Sequence, residues 1–242
     1  MNTRVATLVV LAGAVGTAQA ATITEDFDGV TAPSLPAGWQ VVGTGVTTAA
    51  TGNPNNNLQV AAGSGYLVNS GSGFDASADF SGTFDFWLDD ATNYSNIAFL
   101  VGDVQDGLTG SSAGEYLRID LRERTFGARA NIIDGSGTTV FSGSGNNTYQ
   151  IEDNQWYSAS FSWVAGTGTF SISWTGAQGN KGPMTVSAYS FDSNEVFFGF
   201  GTLQHAARFD NISITGTEVP EPGSLALLAL GGAMIGIRRR RG

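Results

Sequence analysis

Four of the six basic residues between Arg4 and Pro220 fall between positions 118 and 129, in the run Arg118-Ile-Asp120-Leu-Arg122-Glu-Arg124 and at Arg129. Successive side chains of a strand point to opposite faces, so Arg118, Asp120 and Arg122 share one face, with Arg129 on the next strand. An arginine fork on such a face can hold a carboxylate or sulfate group through two parallel hydrogen bonds. The competing use is internal, as ion pairs with Asp120, Glu123 and the acids of neighbouring strands. Arg118, Asp120, Arg122 and Arg129 are therefore the candidate binding face.

Catalytic patterns are poorly represented. A retaining glycosidase needs two carboxylates about 5 Å apart. Glu115 and Asp120 are separated by an odd number of positions and point to opposite faces of an unbroken strand. His205 is the chain's one histidine, so neither a histidine metal site nor a histidine dyad has its second member. There is no cysteine nucleophile and no phosphate-cradling loop. The chain reads as a non-enzyme, with a histidine-independent lyase using tyrosine and arginine left open.

The elements that must position these residues read as strands. Glycine supplies 34 of 242 residues, about twice the usual share, and Gly-Ser, Gly-Asn and Asp-Gly pairs separate short runs of alternating polarity. That pattern predicts an all-β sandwich with regular turns. The clearest strands are Asp79–Leu88, Asn96–Val104, Tyr116–Arg122, Phe126–Ile133, Tyr157–Val164, Thr169–Trp174, Thr185–Tyr189, Val196–Gly201 and Arg208–Thr215. Ala165-Gly-Thr-Gly168 turns one of these into the next as a hairpin. Without cysteine the fold uses no disulfide, and its stability must come from its core. Ahead of Pro220, excluding Arg4, six basic residues face 20 acidic ones, a net charge of about −14. That charge disfavours nucleic acid and anionic lipid as partners and leaves divalent cations as candidates.

The succession Glu25-Asp26-Phe27-Asp28, Leu35-Pro-Ala-Gly-Trp39, Trp156-Tyr157-Ser-Ala-Ser-Phe161-Ser-Trp163 and Arg208-Phe209-Asp210-Asn211-Ile212-Ser213-Ile214 resembles a concanavalin A-like jelly roll of the LamG or carbohydrate-binding-module type. A galactose-binding-like sandwich shares the same local cues, and both are two stacked antiparallel sheets. The resemblance implies a glycan lying on a concave face, which here carries the arginines. Trp39, Trp87, Tyr94, Trp156 and Trp174 could stack on sugar rings, although such side chains commonly fill sandwich interiors. It also implies a structural calcium tying the first strand to the last, for which Glu25, Asp26, Asp28 and Asp210 could supply oxygens. The alternative for these acids is turn capping and solvation. The jelly-roll glucanase pattern Glu-x-Asp-x-x-Glu is not matched around Glu115, Asp120 and Glu123.

Both ends read as addresses. Arg4, the apolar stretch Val5–Val15 and Ala18-Gln19-Ala20 form a secretory signal peptide over residues 1–20, a cleavable helix cut after Ala20 or at the neighbouring Ala21. At the other end stand Val219, Pro220, Glu221 and Pro222, an apolar run to Ile237 and the block Arg238, Arg239, Arg240 and Arg241. The 15 residues from Gly223 to Ile237 reach about 22 Å as a helix, short of a hydrocarbon core of about 30 Å. The arginines hold the end on the cytoplasmic side. An ordinary membrane anchor behind a proline linker is one reading of this tail. The three parts in this order resemble a PEP-CTERM sorting signal over residues 218–242. The resemblance implies an exosortase as partner, transient insertion in the inner membrane, removal of the tail, and delivery to the cell surface or extracellular matrix. It further implies an exopolysaccharide-producing bacterium, with an exopolysaccharide or cell-surface glycan as the ligand. The expectation is thus a two-sheet antiparallel jelly roll over residues 21–217 between a signal helix and a short hydrophobic helix. It is a non-catalytic glycan-binding or structural protein; the alternative is a polysaccharide hydrolase or lyase on the same scaffold.

Overall fold

Alternation of large apolar with small polar side chains dictates strands, and strands of this length require partners to satisfy their backbone groups. The computed structural model describes residues 19–49, 56–61, 65–69, 71, 73–89, 96–102, 116–122, 129–144, 148–202 and 206–219. In chain order the first strands are β1 (Gln19–Glu25), β2 (Trp39–Gly43), β3 (Val46–Ala49), β4 (Asn57–Val60), β5 (Gly65–Asn69) and β6 (Phe74–Asp75). Next come β7 (Phe80–Leu88), β8 (Asn96–Gly102), β9 (Tyr116–Arg122), β10 (Arg129–Asp134) and β11 (Thr139–Ser144). The last are β12 (Trp156–Val164), β13 (Thr169–Gly176), β14 (Gly179–Val186), β15 (Glu195–Thr202) and β16 (Ala207–Glu218).

The strands pair antiparallel into two sheets. Sheet I has the order β2-β5-β15-β8-β9-β10-β11. Sheet II has the order β3-β4-β16-β7-β12-β13-β14, with β1 also paired to β16. The short β6 pairs with both β15 and β16 and joins the two sheets at one edge. This is an all-β, two-sheet antiparallel jelly-roll sandwich, and Ala20–Val219 forms one compact unit. Among the described residues the helical element is a 3-10 turn, Ala165–Thr167. Residues 1–18 of the expected signal helix and the expected C-terminal hydrophobic helix lie outside the described residues, while Gln19 and Ala20 belong to β1 and not to a helix.

An aromatic layer holds the sheets together. Phe84 of sheet II lies with its ring centroid 4.8 Å from Phe99 and 5.2 Å from Phe200, both of sheet I. Phe161 of sheet II closes on Phe99 at 4.8 Å and on Phe198 at 5.7 Å. All five are buried. Rings at these separations gain edge-to-face and offset attraction beyond their area burial. Trp163 keeps its indole N–H satisfied inside by donating to the Ala76 carbonyl at 2.8 Å.

The hairpin between β12 and β13 turns on Gly168, which sits in the left-handed region at φ 59° while its N–H donates to the Ala165 carbonyl. A Cβ there would run into the Tyr189 carbonyl oxygen, so only glycine fits. One expectation about boundaries is corrected. The strand anticipated over Thr185–Tyr189 runs instead from Gly179 to Val186, with a register shift against β13 between Ile172 and Trp174. Ala188 has φ 58°, which breaks the extended backbone beyond it. The strand anticipated from Phe126 is described from Arg129 onward.

Truncating Phe84 to alanine removes contacts with both sheets at once. The expected cost is about 3–5 kcal/mol, read as a lower urea midpoint with an unchanged slope.

Candidate functional site

The register of sheet I sets its outward positions in rows across the strands. One row runs Val68, Gly199, Leu100, Arg118 and Ile133; the next runs Val42, Tyr66, Gly201, Ala98, Asp120, Asn131 and Ser142. Arg118 and Asp120, two residues apart on one face, meet directly. Arg118 Nε donates to Asp120 Oδ1 at 3.0 Å and Nη2 donates to Oδ2 at 3.2 Å. The internal pairing anticipated as the competing use is therefore present, as a two-point fork. The two side chains are 20 % and 8 % exposed.

Burial pushes the Asp120 carboxyl above the usual carboxylate range, against the opposing pull of Arg118 and Arg122. Burial also works against the Arg118 charge, but Asp120 outweighs it and holds the guanidinium proton more tightly than usual. Tyr66, on the neighbouring row, has its phenol pushed up by burial, with Arg118 pulling the other way.

The surroundings differ from an open polar face. Tyr66, Val68, Ala98, Leu100, Tyr116 and Phe197 are buried and form a second apolar cluster, separate from the sandwich interior. Tyr66 occupies the space over Gly201, where a Cβ would collide with its ring. The expectation of a fully polar face is corrected for a reason visible in the residues. Ile97-Ala-Phe-Leu-Val101 and Val196-Phe-Phe-Gly-Phe200 are continuous apolar runs, the signature of strands covered on both faces. Only β9 alternates strictly, so the ion pair stands at the margin of an apolar patch. Tyr66 and Tyr116, absent from the sequence-derived candidates, are brought beside it.

The other candidates distribute as follows. Arg122 is half-buried at the end of β9, and Arg129 pairs with it in backbone register. Glu115, Glu123, Arg124, Tyr94 and His205 lie outside the described residues. Trp39 and Trp174 belong to the interior. Trp87 and Trp156 are half-buried on the outer face of sheet II, with ring centroids 5.7 Å apart.

The acids proposed for calcium do not assemble. β1 ends at Glu25, so Asp26 and Asp28 fall in the following turn and not on the first strand. Glu25 Oε1 accepts the Phe27 N–H at 2.8 Å, and Asp26 Oδ1 accepts the Asp28 N–H at 3.1 Å. Asp28 Oδ1 accepts the Asn56 N–H at 3.1 Å. Asp210 is 1 % exposed and accepts the Asn211 N–H at 2.8 Å. A cleft of about 800 Å³ lies between the turn after β1 and Asn211, and it includes Glu25 and Asp26 in its walls but neither Asp28 nor Asp210. Burial pushes the Glu25 carboxyl up, with the Phe27 N–H pulling the other way and the Asp26 charge adding to the rise. Among the described residues no group of three or more His, Cys, Asp or Glu could hold a metal ion. The four acids therefore do not fit a calcium site.

Comparison with known proteins supplies two findings. The PEP-CTERM protein-sorting motif matches residues 218–241, the segment that includes Val219, Pro220, Glu221, Pro222 and Arg238–Arg241. It marks the chain for export across the inner membrane and processing to the cell surface or extracellular space. The fold is similar to that of legume lectins. Basic winged bean lectin with Tn-antigen superposes with a TM-score of 0.61 at 9 % identity, over 81 % of this chain and 98 % of that one. Peanut lectin gives 0.59 at 16 % identity, over 84 % and 100 %, and lectin II from Ulex europaeus 0.60 at 11 %, over 83 % and 99 %. No curated protein sequence matches the chain.

Asp120 imposes a pH dependence on stability. Its folded pKa lies above its unfolded one, so between the two values the folded chain binds more protons and this stabilisation is lost as pH rises. Asp120→Asn removes that loss. Wild-type stability relative to the variant is expected to fall as pH is raised from about 4 through the elevated value, measured by urea unfolding at a series of pH values; a flat difference would refute the assignment.

Proposed function

We propose that the exported domain is a non-catalytic, glycan-binding protein of the surface matrix of an exopolysaccharide-producing bacterium. Its ligand is an acidic glycan held on the outer face of sheet I by Arg118, Arg122 and Arg129, with Asp120 as the positioning residue. In this reading residues 1–20 are a signal peptide, 21–217 the folded domain and 218–242 the tail an exosortase removes.

Arg118 carries the reading. Its fork onto Asp120 uses Nε and one N–H of Nη2, and the remaining guanidinium N–H groups have no protein acceptor among the described residues. A guanidinium fixed at one edge presents the other to a carboxylate or sulfate without further loss of side-chain freedom. Tyr66 and Tyr116 pack beside it, 7 % and 4 % exposed, and give it an apolar, largely water-free flank that strengthens a charge-assisted hydrogen bond. The lectin-like jelly roll supports a carbohydrate ligand, and the sorting motif supports a place at the cell surface.

Two observations weigh against catalysis at this face. Both Asp120 oxygens are engaged by Arg118, which removes it as a general base of ordinary geometry. The Tyr66 phenol is pushed up, away from the depressed value a tyrosine base needs near neutral pH.

Titration of the mature protein with hexagalacturonate is expected to show binding that Arg118→Ala weakens about tenfold, as loss of a charge-assisted contact does. Affinity unchanged by that substitution removes the face from consideration. Shortening of polygalacturonate or of an acidic bacterial exopolysaccharide, followed by size-exclusion chromatography, would replace the binding reading with the enzymatic one.

A further inference from the structure

The outer face of sheet II has a different chemistry from that of sheet I. Along the paired strands β7 and β12 four cross-strand pairs point outward in succession: Ser81 with Ser162, Thr83 with Ser160, Asp85 with Ser158, and Trp87 with Trp156. At about 3.3–3.4 Å per residue the track is roughly 20 Å long. Its neighbours extend the hydroxyl character, with Ser213 and Thr215 on one side and Ser171 and Ser173 on the other.

Between the hydroxyl pairs the surface dips. A depression of about 320 Å³ is lined by Ser81, Thr83, Ser160, Ser213 and Thr215, with Gly82 and Phe161 also contributing. That volume is at the small end of ligand clefts. Gly82 must stay glycine, because a Cβ would come within 2.6 Å of both Phe161 Cζ and the Ser213 carbonyl oxygen. The hydroxyls of Ser160 and Thr215 are shared with Ser173 and Thr22. Those of Ser81, Thr83 and Ser213 make no such bond among the described residues, so three groups that each donate and accept converge on one depression.

The far end of the track carries an independent signal. Two half-buried tryptophans stand side by side on an otherwise polar, solvated face, 59° apart in plane. Tryptophan is enriched where a surface meets a ligand, since it combines a large apolar plane with little rotamer entropy. The Arg208 guanidinium lies 5.6 Å from the Trp87 ring centre and is bonded to Asp89 at 2.8 Å, so it is already neutralised.

We propose that this track binds an uncharged polysaccharide, with a sugar ring against Trp156 and Trp87 and sugar hydroxyls paired to Ser81, Thr83 and Ser213. Local charge decides against an acidic chain on this track: it contributes Asp85, and its arginine is already paired with Asp89. A second copy of the protein is the poorer occupant. Apposing two such faces would desolvate many hydroxyls for little apolar area, whereas interface cores are apolar. A glycan offers donors and acceptors in equal supply and C–H faces for the indoles. The site lies on the opposite sheet from Arg118 and does not rest on the acidic-glycan reading. With both sites occupied, one domain would bridge two kinds of chain.

The test is isothermal titration of the mature protein with cellohexaose, mannohexaose and galactohexaose. At least one should bind. Trp156→Ala should weaken it about tenfold and Thr83→Val about fivefold, with Trp156→Phe retaining most of the affinity. Arg118→Ala should leave it unchanged, which separates this site from the first. Three results would overturn the proposal: no binding by any of the neutral hexasaccharides, binding indifferent to both Trp156→Ala and Thr83→Val in folded variants, or self-association in sedimentation that the same substitutions abolish.

Discussion

Phe84 and Phe99 face each other from opposite sheets with ring centroids 4.8 Å apart, and the rest of the molecule is arranged around that contact and its neighbours. Phe161, Phe198, Phe200 and Phe209 complete a layer in which side chains of both sheets interdigitate. With no cysteine to cross-link the chain, this layer is what opposes the conformational entropy of ordering it. It also constrains register. Slipping β7 by one residue would turn Phe80, Phe84 and Phe86 outward and bury Ser81, Thr83 and Asp85. The residues on the two outer faces are therefore located by the interior.

Those outer faces are free to differ because the interior does not need them. On sheet I, β8 and β15 are apolar on both sides, and their outward side chains join Tyr66 and Tyr116 in a second cluster. The half-buried ion pair of Arg118 and Asp120 sits against it, in a setting where burial shifts the acid upward and strengthens each partner's hold on the other. On sheet II the outward positions are serine and threonine, several sharing hydrogen bonds across strands, as Ser160 with Ser173 and Ser171 with Thr185. One scaffold thus carries a partly dry face built around an ion pair and a hydroxylated one.

Much of this was legible beforehand, and the exceptions are instructive. Tyr116–Arg122 and the hairpin on Gly168 follow directly from alternation and turn chemistry. β1 to β6, β11 and most of β14 did not announce themselves. They are short, or carry Gly-Asn-Lys-Gly-Pro in place of an apolar stripe, and their extended form is imposed by the strands they pair with. The candidate calcium acids looked convergent because they flank the first and last strands. Glu25 and Asp26 turned out to accept backbone N–H groups two residues on, the usual local use of acids at turns, and Asp28 accepts the N–H of the distant Asn56. Tyr66 was hidden for the opposite reason, and Trp156 was named without its partner: nothing in a local window says which distant arginine or tryptophan will stand beside them.

By itself the chain determined its class, its C-terminal sorting address and its charge. Period-two alternation with glycine turns is a local property and yields a β-sandwich, and the sorting motif is read by linear order and so survives without any fold. Only the tertiary structure decided which side chains share a surface. The meeting of Tyr66 with Arg118, the hydroxyl depression over Gly82 and the pairing of Trp87 with Trp156 join residues tens of positions apart. Such neighbours are set by strand order and register, and these are fixed by closing one aromatic core and not by any short stretch of sequence.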